Sequence, residues 1–183
     1  MAEVGFAHFS ARAVAKRIGY SIGSIYNVYG TLDHLLIEIN TRTFRHWTHS
    51  IGQALAETET DRIATLVEAY FAFARANPML WTAIYDHRLP PGMAMPEQDA
   101  AERARLTGLA TEEVAAALGR PVDEAVRNLT VSLIATVHGH CSLAISGSFD
   151  LLEEPDPIGR ALERVRESLM TNHVSSFSKP LGA

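Results

Sequence analysis

The sequence contains little of what several protein classes require. Its 183 residues include one cysteine, Cys141, so an internal disulfide is excluded and a reducing compartment is expected. A run of about 18 apolar residues is missing, so we expect no membrane span. The N-terminal residues lack a signal-peptide pattern, and zinc-site spacings, a P-loop and a GxGxxG motif are missing too. These absences favour a cytoplasmic protein without a cofactor.

Charge is distributed unevenly along the chain. The net charge is −5, but residues 1–50 contain five basic and three acidic side chains, which gives +2. The remaining residues contain 11 basic and 18 acidic side chains, which gives −7. A mildly basic head on an acidic body is typical of a protein whose head contacts a polyanion.

The apolar residues recur at helical spacing, and strand patterns are nearly absent, so the sequence predicts an all-α fold. Breaks at glycine and proline separate the periodic segments, and the residues after Val174 are expected to fray. The predicted later helices cover residues 32–57, 63–77, 79–87, 97–118, 122–147 and 157–173.

The segment 122–147 is apolar on nearly every side, which predicts that every side is buried. One bundle of this size cannot cover so much apolar surface. Together with 157–173, the segment would form a four-helix interface with a second copy. The alternative is the central helix of a monomeric domain.

Residues 10–29 predict two short helices joined by a tight turn. Ser10 and Ser21 are suited to cap the two helices, and Gly19 permits a left-handed turn between them. Such a helix-turn-helix places its second helix in the major groove of DNA. The side chains that we expect to face inward are Val14, Ile18 and Ile25.

The residues of this region are similar to the signature of the tetracycline-repressor (TetR) family. The matching positions are Gly5-Phe6, then Arg12-x-Val14-Ala15-x-Arg17-x-Gly19-x-Ser21-x-Gly23-Ser24-Ile25-Tyr26-x-x-Tyr29, then Asp33-x-Leu35-Leu36. Later segments resemble the ligand domain of one subgroup: Tyr70–Ala74, Asn77-Pro78-x-Leu80, Asp86-x-Arg88-Leu89-Pro90 and Val137-His138-Gly139.

The resemblance implies an all-helical homodimer that binds double-stranded operator DNA with its N-terminal head and a small effector with its C-terminal domain. On this basis we expect a DNA-binding head at 1–45, an effector-binding and dimerisation domain at 46–175 and a flexible tail at 176–183. The implied DNA-binding residues are Ser10, Arg12, Ser21, Ile22, Gly23, Ser24, Tyr26 and Asn27. Base readout would come from Ser24 and Asn27, because asparagine pairs well with adenine.

Three departures from the family pattern predict weakened DNA binding. Four residues precede Gly5 where the family has a first helix, so Phe6, Val14, Ile18 and Ile25 would lose a packing partner. A late start site, a frayed head or cover by a partner chain would each account for this. Ile22 and Val28 replace polar side chains near DNA, and Leu32 replaces a lysine that contacts phosphate.

Six residues are candidates for an effector pocket, although helical spacing alone is also compatible with plain core packing. An apolar pocket with a few polar groups suits a small apolar or aromatic effector. Polar contacts would come from His138, Tyr85 or Asp86. The predicted ligand-binding residues are Phe71, Trp81, Tyr85, Leu106, Leu109 and His138, with Phe73 as a further lining candidate.

Other pairs of polar residues have spacings that suit metal ligands or catalysis. His34 and Glu38, and His46 and His49, share helix faces, but a solvated surface explains them better. His138 and Cys141 are better explained as buried core residues than as ligand and nucleophile. No base, orienting partner and oxyanion site occur together, so we expect neither a metal nor an enzyme.

The sequence therefore predicts a ligand-responsive DNA-binding repressor. The alternative is a dimeric helical module that binds a small molecule or protein and retains a vestigial DNA-binding head.

Overall fold

A computed structural model describes residues 1–177, and this part of the chain contains helices and turns without strands. The predicted all-α fold is confirmed. The helices within it are α1 (Ala11–Ile18), α2 (Ile22–Tyr29), α3 (Leu32–Ala56), α4 (Arg62–Ala76), α5 (Pro78–Asp86), α6 (Glu97–Ala117), α7 (Glu124–Ile145), α8 (Ser148–Leu151) and α9 (Pro157–Phe177).

The helix boundaries follow the capping residues that the sequence offers. Pro78 occupies the first position of α5, and Gly119 adopts the left-handed conformation two residues after α6 ends. The Asp156 carboxylate accepts a hydrogen bond from the backbone N–H of Gly159, 2.9 Å away, and so caps α9. The predicted tail at 176–183 lies almost wholly outside the described residues, and α9 continues to Phe177.

The chain divides by its contacts into two compact units, and the division falls inside the continuous helix α3. Within the described residues, the first unit comprises 1–48 and 76–105, and the second comprises 49–75 and 106–177. This partition by packing differs from the functional division at residue 45, which stays a prediction.

The first unit contains a small apolar core built around the α1–α2 pair. Ala11 and Ala15 of α1, Ile25 of α2 and Leu35 of α3 are buried together. Phe9, Val14, Tyr29, Leu32 and Ile39 pack against this cluster. Alanine at both buried positions of α1 allows the backbones of neighbouring helices to approach closely.

Apolar packing and a hydrogen-bonded ion pair stabilise the second unit. Arg62 donates two hydrogen bonds to the Glu113 carboxylate, at 2.6 and 2.7 Å, and a third to the backbone carbonyl of Leu55 at 2.8 Å. This arrangement connects the start of α4 to α6 and to the last turn of α3. The glutamate raises the pKa of Arg62, mainly by hydrogen bonding, so the pair stays ionised.

Helix α7 packs on α8 and α9, but it does not bury all of its sides. Val126, Thr130, Leu133, Val137 and Cys141 form its buried face. Val131 is 60% exposed and Leu143 is 41% exposed, so the prediction of burial on every side is wrong for a single chain. The reason is that α8 and α9 cover only part of a 22-residue helix.

By length and composition alone, helix α7 could cross a membrane. A single helix of this kind does not indicate a membrane protein, because the central helices of soluble bundles are equally long and apolar. The helix contains hydrogen-bonding and ionisable groups along its length, among them Arg127, Asn128, His138 and His140.

Candidate nucleic-acid interface

The α1–α2 pair has the geometry of a helix-turn-helix with both helices capped. The hydroxyl of Ser10 accepts a hydrogen bond from the backbone N–H of Ala13 at 3.2 Å, and that of Ser21 accepts one from Ser24 at 3.1 Å. Gly19 lies between the helices with φ +73°, a conformation that favours glycine. The backbone N–H of Tyr20 closes the turn on the carbonyl of Ala15 at 2.9 Å. The predicted caps and turn are therefore confirmed.

The inward face of this pair is only partly as predicted. Ile25 is buried, as expected, and Val14 is half-buried. Ile18 is 53% exposed, so its predicted inward position is wrong. The α1 positions that are buried instead are Ala11 and Ala15, because close contact between short helices favours the smallest side chains over the largest.

The outer face of α2 is exposed and carries no ionisable group other than the tyrosine hydroxyl. Gly23, Tyr26 and Asn27 are exposed, as are the apolar residues Ile22 and Val28. All of these except Val28 were predicted to bind DNA, and the surface therefore presents one amide, one phenol and two aliphatic side chains.

Ser24 is less available than Asn27 for base contacts. It is half-buried, and its hydroxyl lies 3.0 Å from the Ser21 hydroxyl. Both serines therefore take part in capping α2, and their hydroxyls orient the start of the helix. Asn27 remains as the exposed amide of the predicted readout pair.

Exposed cations lie on α1, next to α2. Arg12 and Lys16 are one helical turn apart, are exposed, and form no ion pair within residues 1–177. Arg17 differs, because its guanidinium donates two hydrogen bonds to the Glu3 carboxylate, one of them at 2.7 Å. This contact lowers the pKa of Glu3. Lys16 was missing from the predicted contact residues, although its spacing from Arg12 could have identified it.

The N-terminal segment covers part of the surface that was expected to lack a partner. Phe6 is half-buried, with its ring centroid 6.1 Å from that of His87, which directly follows α5. Gly5 is buried, and a side chain there would lie 3.1 Å from the sulfur of Met79. The expectation that Phe6 and Ile25 lose their cover is therefore wrong: His87 contacts Phe6, and Ile25 is buried in a cluster that Phe9 packs against. Ile18, which belonged to the same expectation, is exposed.

The start of α3 completes the head. The Thr31 hydroxyl accepts a hydrogen bond from the backbone N–H of His34 at 3.1 Å. Leu32 packs into the core of the first unit, so it cannot take the place of a phosphate-binding lysine. One Asp33 carboxylate oxygen lies 3.2 Å from Nε2 of His87, whose side chain is nearly buried. This contact joins the beginning of α3 to the end of α5.

The predicted effector residues are divided between the two units. In the first unit Trp81 is buried and contacts Tyr85 edge to face, with ring centroids 5.2 Å apart. In the second unit Phe71 is buried, and Leu106 and Leu109 are half-buried. Their assignment to a ligand stays a prediction.

In the second unit, His138 has a hydrogen-bonding neighbour and Cys141 is a buried core residue. Nδ1 of His138 lies 3.1 Å from the hydroxyl of Tyr70, and burial lowers the pKa of the imidazole. Cys141 is fully buried, and burial raises the pKa of its thiol to about 12. A thiol in this environment stays protonated and is a poor nucleophile.

The candidate metal pair on α3 has protein partners. Nδ1 of His34 lies 3.0 Å from the Thr31 hydroxyl, and Glu38 pairs with Arg42 at 3.1 Å. Among the residues that the structure describes, no cluster of three or more histidine, cysteine, aspartate or glutamate side chains is placed to hold a metal ion.

Comparison with known proteins agrees with the geometry. The family model described as "Tetracyclin repressor-like, C-terminal domain" matches residues 63–168. The curated HTH-type transcriptional regulators Rv1816 of Mycobacterium tuberculosis and Mb1846 of Mycobacterium bovis are each 22% identical over 202 aligned positions. The alignments cover 92% of this chain and 86% of each regulator.

Two solved structures share the fold. A protein of unknown function from Rhodococcus sp. RHA1 superposes with a TM-score of 0.71 and 23% identity, over 93% of this chain and 86% of its own. A TetR-family transcriptional regulator from Streptomyces coelicolor gives a TM-score of 0.63 and 24% identity, over 92% and 90% of the two chains. The family model covers more than half of the sequence, so the chain belongs to the TetR family, whose members are transcriptional regulators and not enzymes.

Proposed function

We propose that this protein is a ligand-responsive repressor that binds operator DNA through α2. The observation that carries the proposal is the pairing of a doubly capped helix-turn-helix with an exposed outer face on the second helix. In this motif the N-terminal residues of the second helix contact base edges in the major groove. Gly23 lets the backbone approach the DNA, and Asn27 presents an amide to it.

Phosphate contacts would come from α1, from the capping residues of both helices and from Tyr26 in the middle of α2. Arg12 and Lys16 supply positive charge, and Ser10, Ser21 and Tyr26 supply hydroxyl groups. Contacts of this kind fix the orientation of the head but carry no sequence information. Leu32 contributes none, because it packs inward. We therefore expect modest affinity with a shallow dependence on salt.

A homodimer would supply the second head. The exposed apolar residues of α7, together with exposed Met170 on α9, form a surface that a second copy could cover. Gly139 and Ser142 are exposed on α7 and would permit close approach. The two recognition helices of such a dimer would enter successive major grooves, roughly 34–36 Å apart.

The effector would be a small apolar or aromatic molecule that acts in the cytoplasm. Support comes from the aromatic pair Trp81 and Tyr85 in the first unit. In the second unit Phe71 and Leu109 offer apolar surface, and His138 offers a polar group. Binding would favour a head arrangement that fits DNA less well, so the effector would lower operator affinity.

The effector proposal is tested by titrating the protein with small aromatic compounds. A Trp47→Phe variant is used, so that the fluorescence of Trp81 reports binding. Compounds that change neither the fluorescence nor DNA affinity would contradict the effector proposal.

The DNA-binding proposal is tested by fluorescence anisotropy with duplexes from the DNA flanking the gene. We expect tighter binding to one of these duplexes than to a scrambled duplex of the same composition, at both low and moderate salt. Arg12→Ala should weaken binding to both duplexes about equally and reduce the salt slope by about one. Arg105→Ala, an exposed arginine on α6 outside the head, is the matched control and should change neither. Equal binding to both duplexes would contradict the proposal.

One set of observations favours a second candidate function. Ile22, Val28 and Leu32 are apolar at positions where the family pattern has polar side chains. A vestigial head on a dimeric small-molecule or protein-binding module would explain them. This candidate predicts no sequence preference in the anisotropy experiment and rapid amide exchange across residues 1–30.

A further inference from the structure

The exposed side chains of α2 form a chemically unusual reading surface. The helix Ile22–Tyr29 contains no lysine, arginine, aspartate, glutamate, glutamine or histidine. Its exposed residues are Asn27, Tyr26 and Gly23, with the aliphatic Ile22 and Val28 at opposite edges of the face. Ile22 is 38% exposed and Val28 is 74% exposed, so both side chains are available to a partner.

The arrangement of these residues follows from helix geometry. At 3.6 residues per turn, Asn27 lies on nearly the opposite side of α2 from the buried Ile25. Its amide therefore points away from the core of the head. Ile22 and Tyr26 lie one turn apart on one flank of Asn27, and Ser24 and Val28 lie one turn apart on the other.

Base pairs differ in what they offer to such a surface. Guanine presents two acceptors that arginine or lysine fills, and cytosine presents an amino donor that a carboxylate accepts. Adenine presents the acceptor and donor that asparagine contacts together, and thymine presents a methyl group that apolar side chains contact. The outer face of α2 has the groups for adenine and thymine and lacks those that most often read guanine and cytosine.

We infer that α2 is specific for A·T base pairs, with Asn27 paired to adenine N7 and N6 and with Ile22 and Val28 packed on thymine methyl groups. This inference rests on the proposed function and names the chemistry of the sequence that the head prefers. The aliphatic residues that first indicate a weakened head are then specificity-determining residues.

The apolar contacts and the phosphate contacts differ in their dependence on salt and on base sequence. Burying one methyl group against Val28 or Ile22 contributes about 0.8 kcal/mol, which corresponds to about a fourfold change in affinity. Apolar contact releases no counterions, so this discrimination persists as salt rises. Affinity contributed by Arg12 and Lys16 falls with salt and does not depend on the base sequence.

The first experiment identifies the preferred sequence by selecting duplexes from a random library with the full-length protein. We expect half-sites that contain A·T pairs at the contacted positions. Each thymine of the selected half-site is then replaced by deoxyuridine, which removes the methyl group and leaves the base-pairing groups unchanged. We expect about a fourfold loss of affinity at each contacted thymine and no change at thymines outside the half-site.

Variants assign the effect to the two aliphatic residues. Val28→Ala should abolish the difference between thymine and deoxyuridine at one position, and Ile22→Ala should do so at another. Val28→Thr keeps the shape of the side chain and replaces a methyl group with a hydroxyl, so it should retain only part of the difference. Because Val28 is largely exposed, these variants should fold, which circular dichroism verifies.

The possible failures are distinguishable. Selection of G·C-rich half-sites, or equal affinity for thymine and deoxyuridine at every position, would overturn the A·T inference and leave DNA binding intact. Absence of any selected sequence would overturn the proposed function together with the inference.

Discussion

Helices α2 and α7 each bury one face and leave aliphatic residues exposed on another, yet their surroundings differ. Helix α2 has eight residues, and its aliphatic side chains flank an amide next to the cations of α1. Helix α7 has 22 residues, and its exposed surface mixes aliphatic residues with alanine, serine and glycine. Exposure of a valine is therefore insufficient to identify a partner, and the neighbouring polar groups indicate which partner fits.

The difference matches the two kinds of recognition that we propose for the two helices. A short capped helix with a polar centre can enter a DNA groove, where hydrogen-bond donors and acceptors are exposed. A long helix with small residues among larger ones suits close packing on a second protein chain. The following variants test whether these two surfaces act independently.

The largest expected effect comes from placing a charge on α7. Val131→Glu would bury an unpaired carboxylate in the proposed dimer interface, so the dimer dissociation constant should rise about 100-fold or more. Sedimentation equilibrium measures this directly. Val28→Glu makes the same change on α2 and should leave self-association unchanged. Equal association of the Val131→Glu variant and the unaltered protein would contradict the interface.

The next largest effect is expected at the amide of α2. Asn27→Ala should reduce affinity for the preferred duplex by roughly 5- to 150-fold, because a bidentate base contact contributes about 1–3 kcal/mol of discrimination. Binding to scrambled DNA should change little, and anisotropy titrations measure both. Gln53→Ala removes an exposed amide from α3 outside the first unit and should have no effect. An undiminished preference in the Asn27→Ala variant would remove this residue from base readout.

Removing the N-terminal caps of α2 and of α7 separately compares the effect of each helix on DNA affinity. Ser21→Ala should destabilise α2 by about 1 kcal/mol, because the backbone N–H of Ser24 loses its side-chain acceptor. Amide exchange in residues 22–29 should accelerate, and DNA affinity should fall with it. Asp123 caps α7 through the backbone N–H of Val126 at 2.8 Å, and Asp123→Ala should accelerate exchange at the start of α7 instead. Loss of DNA affinity in both variants to the same degree would show that the two surfaces are coupled.

The smallest effect concerns His138 on α7. Burial lowers the pKa of this imidazole in the folded protein, so the unfolded chain binds its proton more readily. Stability should therefore decline as the pH falls below about 6.5, the usual histidine pKa. His138→Gln should flatten this part of the pH profile in urea unfolding. A profile unchanged by the substitution would assign the decline to other groups.

Local signals predicted most of the fold. Ser10, Gly19, Ser21 and Asp156 each act within four residues of their own position, so their roles can be inferred from the sequence. The helix ends agree within a few residues for the same reason. The position of Ile18 could not be inferred, because apolar spacing does not reveal that the shorter Ala11 and Ala15 allow closer packing.

Contacts between distant residues account for what sequence reasoning missed. Glu3 and Arg17 are 14 residues apart, and His87 and Asp33 are 54 apart, with no periodic pattern to join them. The division between the two units inside α3 also cannot be inferred from the sequence, since the helical spacing of apolar residues continues across it. In the candidate site, Asn27 was placed correctly on the exposed face. The contact between Ser24 and Ser21 could have been predicted, because a capping serine contacts the residue three positions later.

The central claim is that α2 is the element that contacts DNA, and hydrogen–deuterium exchange with and without the selected duplex tests it most directly. We expect slower exchange in residues 22–29 on adding that duplex, and no such change with a scrambled duplex at moderate salt. Protection confined to other helices, with residues 22–29 exchanging at the same rate in both states, would contradict it.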